Sequence, residues 1–99
     1  MKEIKAYVKL IKFQDVITSL KALSEVKGLS VSTIEGYGVD NRDEIYELTP
    51  YKKIEIVCED INVDVILDTI KRHAHTGLFG DGKIYVYNVE REVSILDIK

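Results

Sequence analysis

Residues 76–84 read T-G-L-F-G-D-G-K-I, which puts three glycines, one aspartate and one lysine side by side. Two chemistries suit such a stretch. Glycine tolerates positive φ and Asp-Gly readily reverses a chain before a strand, so the residues can serve as a turn. Glycines also bare their backbone N–H groups, and with Lys83 beside them those donors can cradle an anion. Elsewhere the residues that could do chemistry are dispersed. Cys58 is the only cysteine, so no internal disulfide can form, and its place in K-K-I-E-I-V-C-E makes it a strand residue. His73 and His75 flank Ala74, a spacing that sends them to different sides of a helix and suits a polar helix end better than a metal pair or a base. No Ser-His-Asp or Cys-His arrangement can be read, so no catalytic residue is assigned and turnover is not expected.

The 99 residues suit a single domain spanning 1–99, with 45% hydrophobic and 31% charged residues and a single proline. Such a balance is that of a globular chain without a low-complexity segment. A net charge of -3 offers no basic footprint for a phosphate backbone, and nucleic acid is not an expected partner. Lysines interrupt the apolar residues of the N-terminal stretch, and no apolar run approaches the roughly 18–20 residues of a membrane span. Neither export nor insertion is expected, and the lone cysteine fits a reducing cytoplasm.

The elements that must position the glycine stretch follow from periodicity. Ile4, Ala6, Val8 and Leu10 alternate with Glu3, Lys5, Tyr7 and Lys9, which predicts a first strand over 2–11. Phe13, Val16, Leu20 and Leu23 recur at three- and four-residue spacing, predicting a helix with Asp15 near its start and Gly28 as its stop. Residues 29–37 and 52–59 are β-branched runs that read as strands, with a polar loop over 39–51 between them. Asp60 or Asn62 is placed to cap a second helix whose face carries Val63, Ile66, Leu67, Ile70 and Ala74. The strand K-I-Y-V-Y-N-V then follows the glycines, and residues 93–98 form a short last strand. The order β-α-β-β-α-β is an α+β, ferredoxin-like arrangement with a small C-terminal addition. Helices cover one sheet face in such a fold. The other would carry Tyr7, Ile11, Val57, Tyr85, Tyr87 and Val89, a half-apolar surface that favours self-association.

In that context the stretch T-G-L-F-G-D-G-K-I-Y-V resembles the T-G-x-x-G-D-G-K-I-F-V motif of the PII signal-transduction family. A-Y-V-K at 6–9, V-K-G at 26–28, E-G-Y-G at 35–38 and K-I-E-I-V at 53–57 resemble further PII segments in the same order. The resemblance implies a cytoplasmic homotrimer whose sheets face the threefold axis. It implies no enzyme activity and no required cofactor. ADP, AMP or ATP would bind as regulatory ligands in clefts between subunits, through Gly36, Gly38, Thr76, Gly80, Asp81, Gly82 and Lys83. A protruding loop would touch a regulated enzyme or membrane transporter, here a short loop with Arg42, Glu44 and Tyr46 as its contact candidates.

This chain departs from the family at defined places. Ser94-Ile95-Leu96 stands where the PII pattern has R-I-R, so two charge-assisted phosphate ligands, each worth on the order of 1.5–3 kcal/mol, are missing. Val39-Asp40 replaces the arginine and glutamine at the loop base, and Tyr51 replaces the lysine that pairs with 2-oxoglutarate. The tyrosine that many members modify has no counterpart. ADP or AMP binding survives these losses better than ATP binding, and 2-oxoglutarate sensing in the family's geometry is not expected. A metal-binding or metal-tolerance trimer of similar shape is the alternative, with Cys58, His73, His75 and Asp40 as available ligands; no metal site is assigned.

Overall fold

The computed structural model describes residues 1–37 and 48–98. Strands β1 (Lys2–Lys9), β2 (Ser30–Gly36), β3 (Thr49–Cys58) and β4 (Gly82–Asn88) form one sheet with helices α1 (Leu10–Lys21) and α2 (Val63–Ala74). The strand order is β2-β3-β1-β4 and all three pairings are antiparallel. The expected ferredoxin-like α+β fold is thus present.

Alternation decides which face meets the helices. Ile4, Ala6 and Val8 of β1 and Ile54, Ile56 and Cys58 of β3 point to one side, where Val16, Ile17 and Leu20 of α1 and Ile66, Ile70 and Ala74 of α2 cover them. All twelve side chains are buried, each valine, leucine and isoleucine contributing roughly 1.5–3 kcal/mol on leaving water. The opposite face carries Tyr7, Val57, Tyr85 and Tyr87 among charged neighbours, as expected. Tyr7 and Tyr85 meet edge to face at 6.0 Å, and the Lys5 ammonium lies 5.1 Å over the Tyr87 ring. Val57, Tyr85 and Tyr87 keep about two fifths of their surface open to solvent.

Several boundaries differ from the sequence-based expectation. The first strand stops at Lys9, and α1 begins at once at Leu10, because extended Lys9 acts as the cap residue. Ile11 therefore lies on the outer side of α1, 83% exposed, and not on the open sheet face. Gly28 does not stop the helix. Ala22 closes it by donating to the Thr18 carbonyl at 3.2 Å, and residues 22–29 tuck Leu23, Val26 and Leu29 against the core. Neither Asp60 nor Asn62 caps α2 through its side chain; both belong to a short 3-10 turn, and Asp60 instead accepts from the Met1 amino group at 2.6 Å. The polar loop ends earlier than 51, since Thr49, Pro50 and Tyr51 already pair with Gly36, Glu35 and Ile34.

The C-terminal strand over 93–98 is absent among the described residues. Asp97 N–H donates to the Ser94 carbonyl in a local turn, and Val93, Ile95, Leu96 and Ile98 are 69–93% exposed. A strand needs a neighbouring backbone to pair with. Among the described residues the segment meets none.

Gly82 fixes how closely β4 approaches β1. Its φ is +111°, and a Cβ built there would lie 1.8 Å from the Tyr7 carbonyl oxygen. Gly82→Ala is expected to destabilise the fold by roughly 2–5 kcal/mol, combining backbone strain with displacement of the β1–β4 ladder. Urea unfolding checks this; an unchanged midpoint would contradict the close approach.

Candidate functional site

Antiparallel pairing brings four chain positions to one end of the sheet: Lys9 at the end of β1, Gly36 at the end of β2, Thr49–Tyr51 at the start of β3 and Gly82 at the start of β4. The glycine stretch joins α2 to β4 at that same end. Gly77 and Gly80 have φ of 82° and 83°, so with Gly82 all three glycines of the stretch occupy conformations that other residues rarely adopt. The turn reading of these glycines holds.

Asp81 organises the turn. Its Oδ2 accepts from the backbone N–H groups of Thr76 and Gly77, each at 2.9 Å, and its Oδ1 accepts from the Thr76 hydroxyl. Lys9 Nζ stands 3.2 Å from Oδ1 and also donates to Thr76 Oγ1 at 3.2 Å. Leu78 N–H donates to the same hydroxyl. The carboxylate is only 19% exposed. Burial by itself pushes Asp81 towards protonation, but the Thr76 hydroxyl, the Thr76 and Gly77 amides and Lys9 together outweigh it and hold the carboxyl well below its ordinary value of 3.8. The nest of amides at 76–77 is thus occupied by the protein's own anion.

An external anion would therefore meet the other flank of the loop. Lys83 is paired with Tyr7 across β1–β4 and shares its face. A groove of about 690 Å³ runs between α2 and the β4 edge, where Tyr7, Leu67, Ala74 and Gly82 supply part of the wall, Lys71, Arg72 and Lys83 supply positive charge and Asp68 and Asp81 negative charge. The volume is that of a small-ligand site.

Of the residues expected to bind nucleotide, Thr76, Gly80, Asp81, Gly82 and Lys83 lie together. Thr76 and Asp81 spend their side chains on the loop itself. Gly36 is at the same end of the sheet but on the opposite edge strand, three strand spacings or about 14 Å away across β3 and β1. Gly38, Asp40 and the loop candidates Arg42, Glu44 and Tyr46 lie outside the described residues.

Two residues with no assigned role prove central. Lys9 neutralises Asp81. Tyr51 is 5% exposed, and its hydroxyl donates to the Gly80 carbonyl at 3.1 Å. Neither contact is local in sequence, and the only signals were the strand-end position of Lys9 and the aromatic ring standing before Lys52-Lys53.

Of the metal ligands considered for the alternative, Asp40 lies outside the described residues, and Cys58, His73 and His75 form no cluster with other ligands among the described residues. Cys58 pairs with Lys2 at the far end of the sheet from the loop, and burial foremost, then Asp60, pushes its thiol up and disfavours the thiolate. Among the described residues no group of three His, Cys, Asp or Glu side chains comes together.

Comparison with known proteins agrees with this architecture. A family profile described as "Nitrogen regulatory protein P-II" matches residues 1–97. The chain belongs to the P-II family. Relatives include "Nitrogen regulatory protein P-II" of Pasteurella multocida, 38% identical over 103 residues, which cover 96% of this chain and 91% of that protein. "Nitrogen regulatory protein P-II 1" of Escherichia coli strain K12 and "Nitrogen regulatory protein P-II" of Klebsiella oxytoca are each 39% identical, with the same coverage.

The depressed Asp81 carboxyl makes a signed prediction. Its stabilisation is complete well above 3.8 and is lost as pH falls below that value towards the folded-state titration. Asp81→Ala should be about 1–3 kcal/mol less stable than the native chain at pH 7, and the gap should narrow only below about pH 4. Urea unfolding across this range checks it; a gap that widens on acidification would contradict the assignment.

Proposed function

We propose that this P-II family chain is a non-catalytic regulator that assembles as a homotrimer, binds an adenine nucleotide in clefts between subunits and thereby alters its contacts with a partner enzyme or membrane transporter. The names of its relatives point to nitrogen regulation as the setting, and the proposed place is the cytoplasm. The observation that carries the reading is the position of Gly36 and of Gly80–Lys83 at one end of the sheet on opposite edges. One chain presents two half-sites facing away from each other. A ring of chains, each setting its β2 edge against the next chain's β4 edge, would join the halves.

Two further features suit assembly. The open sheet face holds Tyr7, Val57, Tyr85 and Tyr87, and four aliphatic residues of the C-terminal segment stay 69–93% exposed among the described residues. Burying a surface of this kind is a usual source of oligomer stability for so small a domain.

The charges present set the ligand preference. Lys83 and Lys71 line the groove, while Ser94, Ile95 and Leu96 bring no cation where the family pattern has two arginines. A triphosphate loses more by this than a mono- or diphosphate. Val39 and Tyr51 likewise leave no cation for 2-oxoglutarate.

Light scattering at micromolar concentration should give three times the chain mass of 11.3 kDa, and a monomer would contradict the assembly. Calorimetry should show ADP or AMP bound at least as tightly as ATP, no strengthening of ATP binding by 2-oxoglutarate with magnesium, and weaker binding in Lys83→Ala. Tight magnesium-ATP binding that 2-oxoglutarate strengthens would overturn the ligand preference.

A further inference from the structure

We propose that Tyr51 is a positioning residue that locks the Gly80–Asp81 peptide so that its N–H faces the ligand groove, an inference that rests on the nucleotide-binding reading above. The lock is a hydrogen bond. The buried Tyr51 hydroxyl donates to the Gly80 carbonyl oxygen at 3.1 Å. Among the described residues every peptide bond is trans, and in a planar trans peptide the N–H points opposite to the C=O. Holding the Gly80 carbonyl towards Tyr51 therefore turns the Asp81 N–H away from it. Asp81 and Gly82 both line the groove between α2 and β4.

A lock is of use there because the peptide turns about ψ of Gly80 and φ of Asp81. Gly80, at φ +83°, has little intrinsic preference between the two orientations, and Asp81, which has no positive φ as it stands, is of a residue type that tolerates positive φ better than most. With the peptide flipped, a carbonyl dipole instead of an amide would face an arriving phosphate, turning attraction into repulsion. The Asp81 carboxylate cannot prevent this. It holds the Thr76 and Gly77 amides, several residues before the peptide in question.

The fit around the lock is tight. A Cβ on Gly80 would lie 3.2 Å from the Tyr51 hydroxyl and 3.7 Å from Lys9 Cε. A lysine at position 51, as in the family pattern, would carry a mobile ammonium; tyrosine offers a rigid ring with its donor at a fixed reach.

The test uses the full-length assembled protein and Tyr51→Phe, which removes only the hydroxyl and keeps the ring packed. Titration with ADP should show affinity reduced roughly three- to tenfold, the equivalent of one hydrogen bond. The amide resonances of Asp81 and Gly82 should shift or broaden in the ligand-free variant, while those of β4 residues 84–88 stay in place and show that the fold is intact. Unchanged ADP affinity, or unchanged Asp81 and Gly82 resonances, would overturn the proposal. If the native protein binds no ADP, the nucleotide reading fails on its own, and the ligand-free resonances still decide whether Tyr51 holds the peptide.

Discussion

A carboxylate that is four-fifths buried must be met by donors or it will not stay ionised, and Asp81 obtains them from Thr76, Gly77 and Lys9. That requirement shapes the surroundings. It curls residues 76–81 into a closed turn, ties the turn to the last residue of β1 through Lys9, and delivers the chain to Gly82 at the point where β4 must pass against the Tyr7 carbonyl. The groove beside β4 inherits its shape from this sequence of constraints. A ligand arriving there meets a loop whose ordering entropy has already been met in folding, so binding need not supply it.

On the proposed reading, the same geometry leaves one chain with only part of the ligand site. Antiparallel pairing puts both glycine segments at one end of the sheet, yet β3 and β1 hold them apart. In the proposed assembly ligand binding and subunit association would be linked, since a ligand that bridges two chains stabilises their contact and the contact in turn raises ligand affinity. The uncovered aromatic face and the aliphatic C-terminal segment are what such an assembly would bury. They are the features that a lone chain leaves unexplained.

Much of this was legible in the sequence because it is periodic. The alternation of Ile4, Ala6 and Val8, the helical spacing of Val16 and Leu20, and the run Ile54-Glu55-Ile56 each announce an element and its buried face. Boundaries were harder to read where apolar residues continue past an element. Leu10 and Ile11 extend the strand pattern of β1 although the backbone has already turned helical, and Pro50 reads as loop although it sits near the start of β3. The aliphatic pattern of 93–98 signalled a strand, but pattern cannot supply the partner a strand requires. In the site, Asp-Gly revealed the turn without revealing that the carboxylate folds back onto amides four and five residues earlier. The Lys9 and Tyr51 contacts join segments far apart in sequence, and only the strand register brings them together.

Mixing subunits tests the two-edge account most directly. Gly36→Val should spoil one half-site and Lys83→Ala the other, so each homogeneous assembly should bind ADP poorly. Assemblies re-formed from an equal mixture of the two chains should regain native-affinity binding at a fraction of their clefts, because some clefts then join the intact Gly36 edge of one chain to the intact Lys83 edge of its neighbour. Mixed assemblies that bind no better than their parents would contradict a site built across the subunit boundary.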